Sequence, residues 1–582
     1  MRRPPQAPLR ILGAALLVAA AAALPAAETQ HLRREPVALE ESAPSPPLRL
    51  LLRGVGHRAL DRYLSTTLDM WTHDKPWQNN SPWAGANVFD VDLGSARLRQ
   101  AARSLAPGLL RIGGSLDKYA KYYFQGQGNL TLAECQKPVD KNRGNWTLCM
   151  TASRWREVLA FASDAGLDLV LGLPYSGGLS WDPTSTEELL TFTRDALAGS
   201  GSRVFAVEMG EEMAPSPAHQ ADKFEAFIQA YRRINEVLSR LWPEPAQRPL
   251  VVGPCAGMTD EVPRSRPSSF IRAFLNRTLS EGLIQGICMH SYNDDGGNDW
   301  TERAVFPNET LRQGQAMMEW SREYSPRGRP PVPVWCAECG PHNGGGINGS
   351  TNAWMSSTWF VSALGELAAL GFQEFARQDL VGCYNSLLDS HTHAPNPDFY
   401  VAALWKRLVG PQQLQATTPE LGPAVRVFAH CAAGAANGSV AIAWANAGAA
   451  PLTIQIDGAA GPLQGAQAVW ELTADSLHSR TVRLNGQPLA LRGDEFPELR
   501  PRPQAGAPGE VVVAPLSVGF AVFPEARYSP CVASGPSNGN DSLRSHKALG
   551  TDDDSPRLSL YPDAEYREAA AVARLAAAAA AE

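Results

Sequence analysis

Eight short apolar runs alternate with longer amphipathic runs between Leu64 and Gly410, which predicts eight strands that are each followed by a helix. This alternation is typical of parallel strands with crossover helices. The count of eight favours an α/β fold, a closed (β/α)8 TIM barrel over residues 58–410. The predicted barrel strands are 63–71, 108–112, 167–173, 203–209, 249–253, 284–290, 332–338 and 373–379.

The pattern changes on both sides of this region. Short β-rich runs separated by Gly, Pro or Asn fill residues 411–531, which predicts a C-terminal antiparallel β-sandwich. Residues 532–582 become polar and end in an Ala-rich stretch, so we predict a mobile tail with a lone helix. Residues 28–57 are Pro-rich, and we predict a poorly ordered lead-in there.

The N-terminus has the layout of a secretory signal peptide. Arg2 and Arg3 precede an apolar run from Ile11 to Leu24, and small residues follow, which predicts cleavage of residues 1–27. An uncleaved anchor is the alternative, but the run is short for a membrane span. We therefore expect a secreted protein at the cell surface or wall, or one in a lysosome or vacuole, without a transmembrane segment after cleavage.

Composition and net charge limit the classes of binding partner that this protein can have. The chain is 44% hydrophobic and 19% charged, as in globular proteins. A formal net charge of −7 carries no electrostatic signature for nucleic acid. We expect a monomer, with peripheral membrane or wall association as an open alternative.

Nine cysteines in a secreted chain indicate disulfides, and the odd number leaves at least one thiol over. Cys135 and Cys149 bracket a polar loop that a disulfide could close. Cys431 and Cys531 lie near the two ends of the β-rich region and could staple it. Secretion also makes the Asn-x-Ser/Thr sequences candidate glycosylation sites: Asn129, Asn145, Asn276, Asn308, Asn348, Asn437 and Asn540.

Two other cysteine patterns suggest packing. Cys336 and Cys339, with His342 nearby, imitate half of a zinc motif, but no second pair stands at a suitable spacing. We expect no metal. Cys255 and Cys288, at predicted strand ends, are interpreted as buried apolar side chains.

Carboxylates follow two of the predicted strands. Glu338 ends the seventh, and Glu208, Glu211 and Glu212 lie at the end of the fourth. The C-terminal ends of the strands hold the active site of a (β/α)8 barrel. A glycosidic bond is cleaved by two carboxyl groups, one giving a proton and one ionised. The sequence therefore predicts a glycoside hydrolase that needs no cofactor.

The choice on the fourth strand stays open at this stage. If the strand remains regular, alternation places Glu208 and Glu212 on one side and Glu211 on the other. Crowded carboxylates raise one another's pKa, which suits a general acid.

Seven segments in order resemble the heparanase family, glycoside hydrolase family 79, over about residues 58–531. Residues 208–212 (Glu-Met-Gly-Glu-Glu) resemble its acid segment, and 334–340 (Val-Trp-Cys-Ala-Glu-Cys-Gly) resemble its nucleophile segment. The other similar segments are 63–69, 105–115, 376–380, 395–400 and 426–431.

The resemblance implies a secreted retaining β-glucuronidase that acts on a glucuronic-acid-containing glycan or glycoside. It implies Glu212 as the general acid/base and Glu338 as the nucleophile. It further implies a set of substrate-binding residues, of which the last three match positions that bind the glucuronate carboxylate: Asp69, His290, Tyr292, Gln378, Gly344, Gly345 and Tyr384.

The chain departs from the family pattern at two positions beside the acid. Glu211 replaces an Asn that binds the sugar 2-hydroxyl, and Met213 replaces a Pro. Two alternatives follow: a catalytically weak glycan-binding relative, or a glycosidase for another sugar such as a xyloside or glucoside. One group of tryptophans either stacks on sugars or packs internally: Trp71, Trp77 and Trp83.

Overall fold

The computed structural model describes residues 47–532 except 72–82, 84, 125–130, 142–143, 176–180, 182, 259–268, 294–305, 419–423, 435–437, 465–466 and 505–506. The predicted signal peptide, the C-terminal tail beyond Val532 and Trp77 lie outside the described residues. So do three of the candidate glycosylation sites: Asn129, Asn437 and Asn540.

Strands make up most of the regular structure. In chain order they are β1 (Leu48–Arg58), β2 (Leu64–Asp69), β3 (Gly108–Gly113), β4 (Lys121–Tyr123), β5 (Val139–Lys141), β6 (Gly144–Trp146), β7 (Cys149–Thr151), β8 (Leu167–Leu173), β9 (Val204–Met209), β10 (Leu250–Gly257), β11 (Gly286–Tyr292), β12 (Val334–Gly340), β13 (Glu374–Arg377), β14 (Val409–Thr417), β15 (Val425–Ala432), β16 (Val440–Asn446), β17 (Leu452–Gly458), β18 (Gly461–Pro462), β19 (Gln467–Thr473), β20 (Arg483–Leu484), β21 (Gln487–Pro488), β22 (Arg502–Gln504), β23 (Glu510–Val513) and β24 (Ser517–Phe523).

The α-helices lie mainly between the barrel strands. They are α1 (Ala96–Ser104), α2 (Leu132–Gln136), α3 (Ala152–Ala165), α4 (Thr184–Leu197), α5 (Ala221–Leu241), α6 (Ser269–Ser280), α7 (Asn308–Tyr324), α8 (Trp354–Leu370) and α9 (Pro397–Leu408). None of the helices in the described residues combines the length and apolarity needed to cross a bilayer.

The predicted barrel is confirmed. Strands β2, β3, β8, β9, β10, β11, β12 and β13 pair in parallel in that order, and β13 closes onto β2. Strand β8 has the predicted bounds, whereas β13 is shorter than predicted. The reason is local: Asp379 accepts hydrogen bonds from Trp83 and Ser386, so the chain after Arg377 belongs to a loop.

The C-terminal region is a mostly antiparallel sheet, as predicted, and it encloses its own apolar core. The predicted lead-in is wrong for residues 48–57, because they form β1, which pairs with β14 and β17 in this sheet. Leu50 and Leu52 point into the core while Arg49 and Arg53 do not, which is the alternation of a strand. The strand was not predicted because the sequence directly before it is Pro-rich.

The disulfides both confirm and correct the sequence reading. Cys135–Cys149 and Cys431–Cys531 are bonded as predicted. Cys255 and Cys288 are buried but bonded to each other, so their interpretation as simple apolar side chains is wrong. Cys336 and Cys339 form a fourth disulfide. In the described part of the chain, the buried Cys383 carries the free thiol.

Helix α8 packs against the sheet through a close contact. A side chain at Gly365 would collide with the Phe428 ring, 2.2 Å from the ideal Cβ position, so only glycine fits there. One residue further on, Glu366 accepts a hydrogen bond from Arg426 Nε at 3.0 Å, and both side chains are buried. Burial raises the pKa of Glu366 to about 7 although Arg426 opposes the shift.

This raised pKa predicts a pH-dependent stability. A carboxyl whose folded pKa lies above its unfolded value stabilises the fold at low pH, and the contribution is lost as pH rises through about 7. Between about pH 6 and pH 8, wild type should therefore lose on the order of 1 kcal/mol relative to Glu366→Gln. Urea unfolding at both pH values measures this difference. The exposed Glu157→Gln is the control, and parallel pH dependences for wild type and Glu366→Gln would contradict the prediction.

Candidate active site

The C-terminal ends of four barrel strands bring charged side chains to one mouth. Arg111 lies on β3, Glu208 on β9, His290 on β11 and Glu338 on β12, and all four are buried. Parallel strands in a closed barrel place their carboxyl ends on the same face. Residues from distant parts of the chain therefore meet in one cluster.

Arg111 is the centre of this cluster. Its Nε donates to Glu208 Oε1 at 2.7 Å, its Nη1 to Glu338 Oε2 at 2.8 Å and its Nη2 to Glu211 Oε2 at 2.5 Å. The guanidinium is 2% exposed, so these charge-assisted hydrogen bonds are shielded from water. Sequence reasoning missed Arg111 as a site residue. The available signal was an arginine inside an apolar strand, two residues before Gly113.

Glu338 is held as an ionised carboxylate. Tyr292 donates its hydroxyl to Glu338 Oε1, and His290 Nδ1 lies 3.8 Å from Oε2. Burial alone would raise the pKa of Glu338, but His290, Arg111 and Tyr292 together outweigh burial and hold it below its usual value. Burial and the charge on Glu338 raise the pKa of Tyr292, so the phenol keeps its proton and remains a donor.

Glu212 occupies a different environment. The chain leaves β9 at Gly210, which has a φ of 67°, and Glu212 itself has a φ of 50°. The strand does not remain regular, so the condition for placing Glu208 and Glu212 on one side is not met. The turn breaks the alternation, and Glu208 and Glu211 both contact Arg111. The Glu212 side chain is 41% exposed, and its Oε1 lies 3.3 Å from His290 Nδ1.

The predicted catalytic pair comes together in space. One carboxylate oxygen from each of Glu211, Glu212 and Glu338 and a ring nitrogen of His290 all lie within 4.8 Å of one another. The separation of the two predicted catalytic carboxyls is thus near the roughly 5–5.5 Å at which one carboxyl attacks directly. A water-mediated attack needs about 6.5–9.5 Å.

Glu211 differs from its neighbours in protonation. Burial raises its pKa well above the usual value, and the charges of Glu338, Asp117 and Glu212 act in the same direction, while Arg111 opposes them. Three carboxyls share one guanidinium, so a neutral member reduces the repulsion among them. Burial therefore favours the protonated form of Glu211.

Asp69 and Gln378 form a second polar group at the mouth. Gln378 Nε2 donates to Asp69 Oδ2 at 2.8 Å, and Thr67 donates to the Gln378 carbonyl oxygen. Asp69 Oδ1 is buried without a hydrogen-bond partner. Burial, with the charges of Glu338 and Asp379, raises the pKa of Asp69. The group combines an orienting amide with an acidic hydrogen-bonding side chain.

The structure also joins the predicted anion-binding residues to one another. Tyr384 N–H donates to the Gly345 carbonyl at 2.8 Å, which ties the loop after β13 to the loop after β12. Gly344 and Gly345 have positive φ values of 69° and 86°, which favour glycine. Gly344 N–H is bonded to Asn343 Oδ1 at 2.7 Å. These loops follow β12, which carries Glu338, and β13, which ends one residue before Gln378.

The tryptophans favour internal packing over an exposed sugar platform. Trp71 and Trp83 stack at 4.6 Å between ring centroids, and each is at most 5% exposed. Trp83 Nε1 donates to Asp379 Oδ2 at 3.1 Å. The two rings pack with Cys383 in a small buried cluster formed by the loops after β2 and β13.

Two acidic groups have metal-like spacing in the described residues, one around His290 and one formed by Asp117, Glu208 and Glu211. Arg111 already donates to members of both groups, so the guanidinium supplies the positive charge that a metal would bring. A third set includes Cys255 and Cys288, whose sulfurs are bonded to each other and are not thiolate ligands.

Comparison with known proteins adds a family match. Residues 54–365 match the model described as "Glycosyl hydrolase family 79, N-terminal domain". "Heparanase-like protein 1" of Arabidopsis thaliana is 27% identical over 396 residues, covering 65% of this chain and 69% of that protein. "Baicalin-beta-D-glucuronidase" of Scutellaria baicalensis is 25% identical over 511 residues, covering 81% and 91%. "Heparanase" of Bos taurus is 24% identical over 490 residues, covering 76% and 87%.

Solved structures share the fold. A 4-O-alpha-L-rhamnosyl-beta-D-glucuronidase from Fusarium oxysporum superposes with a TM-score of 0.52 at 12% identity, covering 82% of this chain and all of that one. A family 51 alpha-L-arabinofuranosidase from Bifidobacterium longum gives 0.54 at 13% identity with the same coverage. At these identities, the likeness concerns the arrangement of strands and helices.

Proposed function

Because this chain belongs to glycosyl hydrolase family 79 and is a glycosidase, we propose that it is a retaining β-glucuronidase. Its substrate is a glucuronic-acid-containing glycan or glycoside. The observation that carries the proposal is one distance at the barrel mouth: a carboxylate oxygen of Glu212 lies within 4.8 Å of a carboxylate oxygen of Glu338.

The two carboxyls suit a double displacement. Glu212, half-exposed beside His290, gives its proton to the glycosidic oxygen as the bond to the leaving group breaks. Glu338, ionised and fixed by Arg111 and Tyr292, attacks the anomeric carbon and forms a covalent glycosyl-enzyme. Glu212 then removes a proton from water, which attacks the same carbon and releases Glu338.

The proposed sugar specificity is supported by the relatives and by the loops. One relative of this chain is named as a β-D-glucuronidase and others as heparanases. The linked loops after β12 and β13 present glycine backbone, and N–H groups without side chains approach an anion closely. In this proposal Gly344, Gly345 and Tyr384 receive the glucuronate carboxylate. Asp69 and Gln378 bind sugar hydroxyls.

The proposed setting is one that the secretory pathway supplies. The signal-like N-terminus supports secretion, and four disulfides are the bonds that an oxidising compartment maintains. The protein acts as a monomer, at the cell surface or wall or in a lysosome or vacuole.

The proposal is tested with an aryl β-glucuronide whose product is followed by proton NMR. We expect hydrolysis in which the β-anomer of glucuronic acid appears first, before it equilibrates. Matched aryl β-glucoside and β-xyloside substrates should react far more slowly. Initial release of the α-anomer would remove the retaining mechanism, and a preference for a neutral sugar would remove the glucuronidase specificity.

Glu211 gives the site a predicted alkaline limit. Its raised pKa favours the neutral form. As pH rises, Glu211 ionises and adds a negative charge that repels the ionised Glu338 beside it. Glu211→Gln keeps a neutral group at this position. We therefore expect kcat/KM of this variant to stay high at alkaline pH values where wild type declines, with similar activity near neutrality.

Full pH–rate profiles of both proteins measure this effect. Glu157→Gln, an exposed substitution on α3, is the control and should follow wild type. Coincident alkaline limbs for wild type and Glu211→Gln would show that another group sets the limit. A large rise in activity of Glu211→Gln at all pH values would instead favour the catalytically weak alternative.

A further inference from the structure

Strand β12 contains an extra residue directly before Glu338. Against β11, Met289 pairs with Cys336 and the next residue, His290, pairs with Glu338, so Ala337 has no counterpart. Against β13, Cys336 pairs with Phe375 and Cys339 with Arg377, which again gives one residue more on β12. This is a β-bulge seen from both neighbouring strands.

The bulge decides which way Glu338 points. In a regular strand, Glu338 would share the face of Cys336, two residues earlier, and would point away from the barrel interior. Trp335 and Ala337 pack with the apolar residues inside the barrel, and Cys336 packs with the layer between barrel and helices. Because of the extra residue, Glu338 follows Ala337 on the inner side and reaches Arg111 on β3.

The same bulge is closed by a disulfide on its outer side. Cys336 and Cys339 both belong to the outer apolar layer, and their sulfurs are bonded. Their Cα atoms are 6.0 Å apart, whereas three steps along a regular strand cover about 10 Å. The bond therefore spans the bulge and the two residues within it, one of which is Glu338.

We propose that the Cys336–Cys339 disulfide is a positioning element for catalysis, which holds the β12 bulge and thereby keeps Glu338 turned toward the barrel mouth. A slip by one residue would return Glu338 to the outer face, because side chains alternate with a period of two. The disulfide excludes the regular register that such a slip requires. The inference rests on the proposed role of Glu338 as nucleophile.

The test is the double variant Cys336→Ala/Cys339→Ala. We expect kcat on the aryl β-glucuronide to fall by about 10²-fold or more, since misplacement of a reacting group by about 1 Å has an effect of that size. KM should change much less, because the sugar-binding loops remain. Cys135→Ala/Cys149→Ala also removes a disulfide but lies outside the barrel strands, and it should keep the wild-type kcat. Wild-type kcat in the β12 variant would overturn the proposal.

A second readout needs no substrate. Amide hydrogen exchange of the peptide that covers β12 should accelerate in Cys336→Ala/Cys339→Ala and remain slow in the control variant. If wild type cleaves no glycoside, the proposed function fails, and the exchange data still decide whether the disulfide holds the bulge. Unchanged exchange in β12 would contradict the bracing role.

Graded reduction of wild type covers the case in which the variant does not fold. Samples treated with increasing phosphine are alkylated, and each disulfide is quantified by mass spectrometry. Activity should fall in proportion to the loss of the Cys336–Cys339 bond and not in proportion to loss of Cys135–Cys149 or Cys431–Cys531. Full activity with the Cys336–Cys339 bond broken would again overturn the proposal.

Discussion

Glu338→Gln is expected to lower kcat on an aryl β-glucuronide by about 10⁴-fold or more, the scale seen when a nucleophile is removed. Glutamine has nearly the same shape. Its carbonyl oxygen still accepts the hydrogen bond from Arg111, and its NH2 group faces the Tyr292 hydroxyl, whose oxygen accepts, so the fold persists. Its amide does not attack the anomeric carbon. The loss therefore concerns chemistry and not assembly of the site.

Steady-state kinetics and thermal unfolding of the Glu338→Gln variant separate these effects. The melting temperature should stay near that of wild type, because Arg111 keeps Glu208 and Glu211 as partners. A 2-fluoro glucuronide, which slows release of the covalent intermediate, should label wild type on the peptide containing Glu338 and leave the variant unlabelled. Turnover comparable to wild type in Glu338→Gln would remove the proposed mechanism.

Glu212→Ala is expected to show an effect that depends on the leaving group. Substrates with a poor leaving group need the proton and should slow by about 10²–10⁴-fold, the usual contribution of a general acid. Aryl glucuronides with an acidic phenol leave without that proton, so their first step should be much less affected. The glycosyl-enzyme should then accumulate, because no base remains to activate water.

Added azide provides the discriminating measurement for Glu212→Ala. Azide needs no general base, fits the space left by the carboxylate and should restore turnover with formation of a β-glucuronosyl azide. Glu211→Gln, a substitution at the neighbouring position, is the control and should not respond to azide. Equal losses for good and poor leaving groups, without rescue by azide, would assign Glu212 a role other than acid and base.

Periodicity alone predicts the barrel because each strand is a short apolar run with a helix behind it. Strand β8 is found at the predicted bounds because all seven of its residues are buried, so the run begins and ends with the strand. Strand β1 was missed because its core-facing leucines follow a Pro-rich stretch. Its partners, β14 and β17, lie more than 350 residues later, and a local pattern carries no trace of them.

The sequence predicts which residues form the site, but it predicts their arrangement in space only in part. Resemblance to a family selected Glu212 and Glu338, and strand ends explain why they meet. The turn at Gly210 and the bulge at Ala337 each shift by one position the alternation of side chains between the two faces of a strand. The pattern of hydrophobic residues predicts neither shift. Arg111 was not predicted because a buried cation is explained only by the carboxylates that two other segments, the end of β9 and β12, bring to it.

The position of β1 limits how this protein can be divided. It lies between β14 and β17, so a fragment that starts at residue 411 would lack a central ladder of its sheet. Two rows of backbone N–H and C=O groups would then be left without partners, and such open edges recruit strands from other molecules. The C-terminal sheet is accordingly not an independent module that can be transplanted by itself, and its solubility depends on a segment made before the barrel.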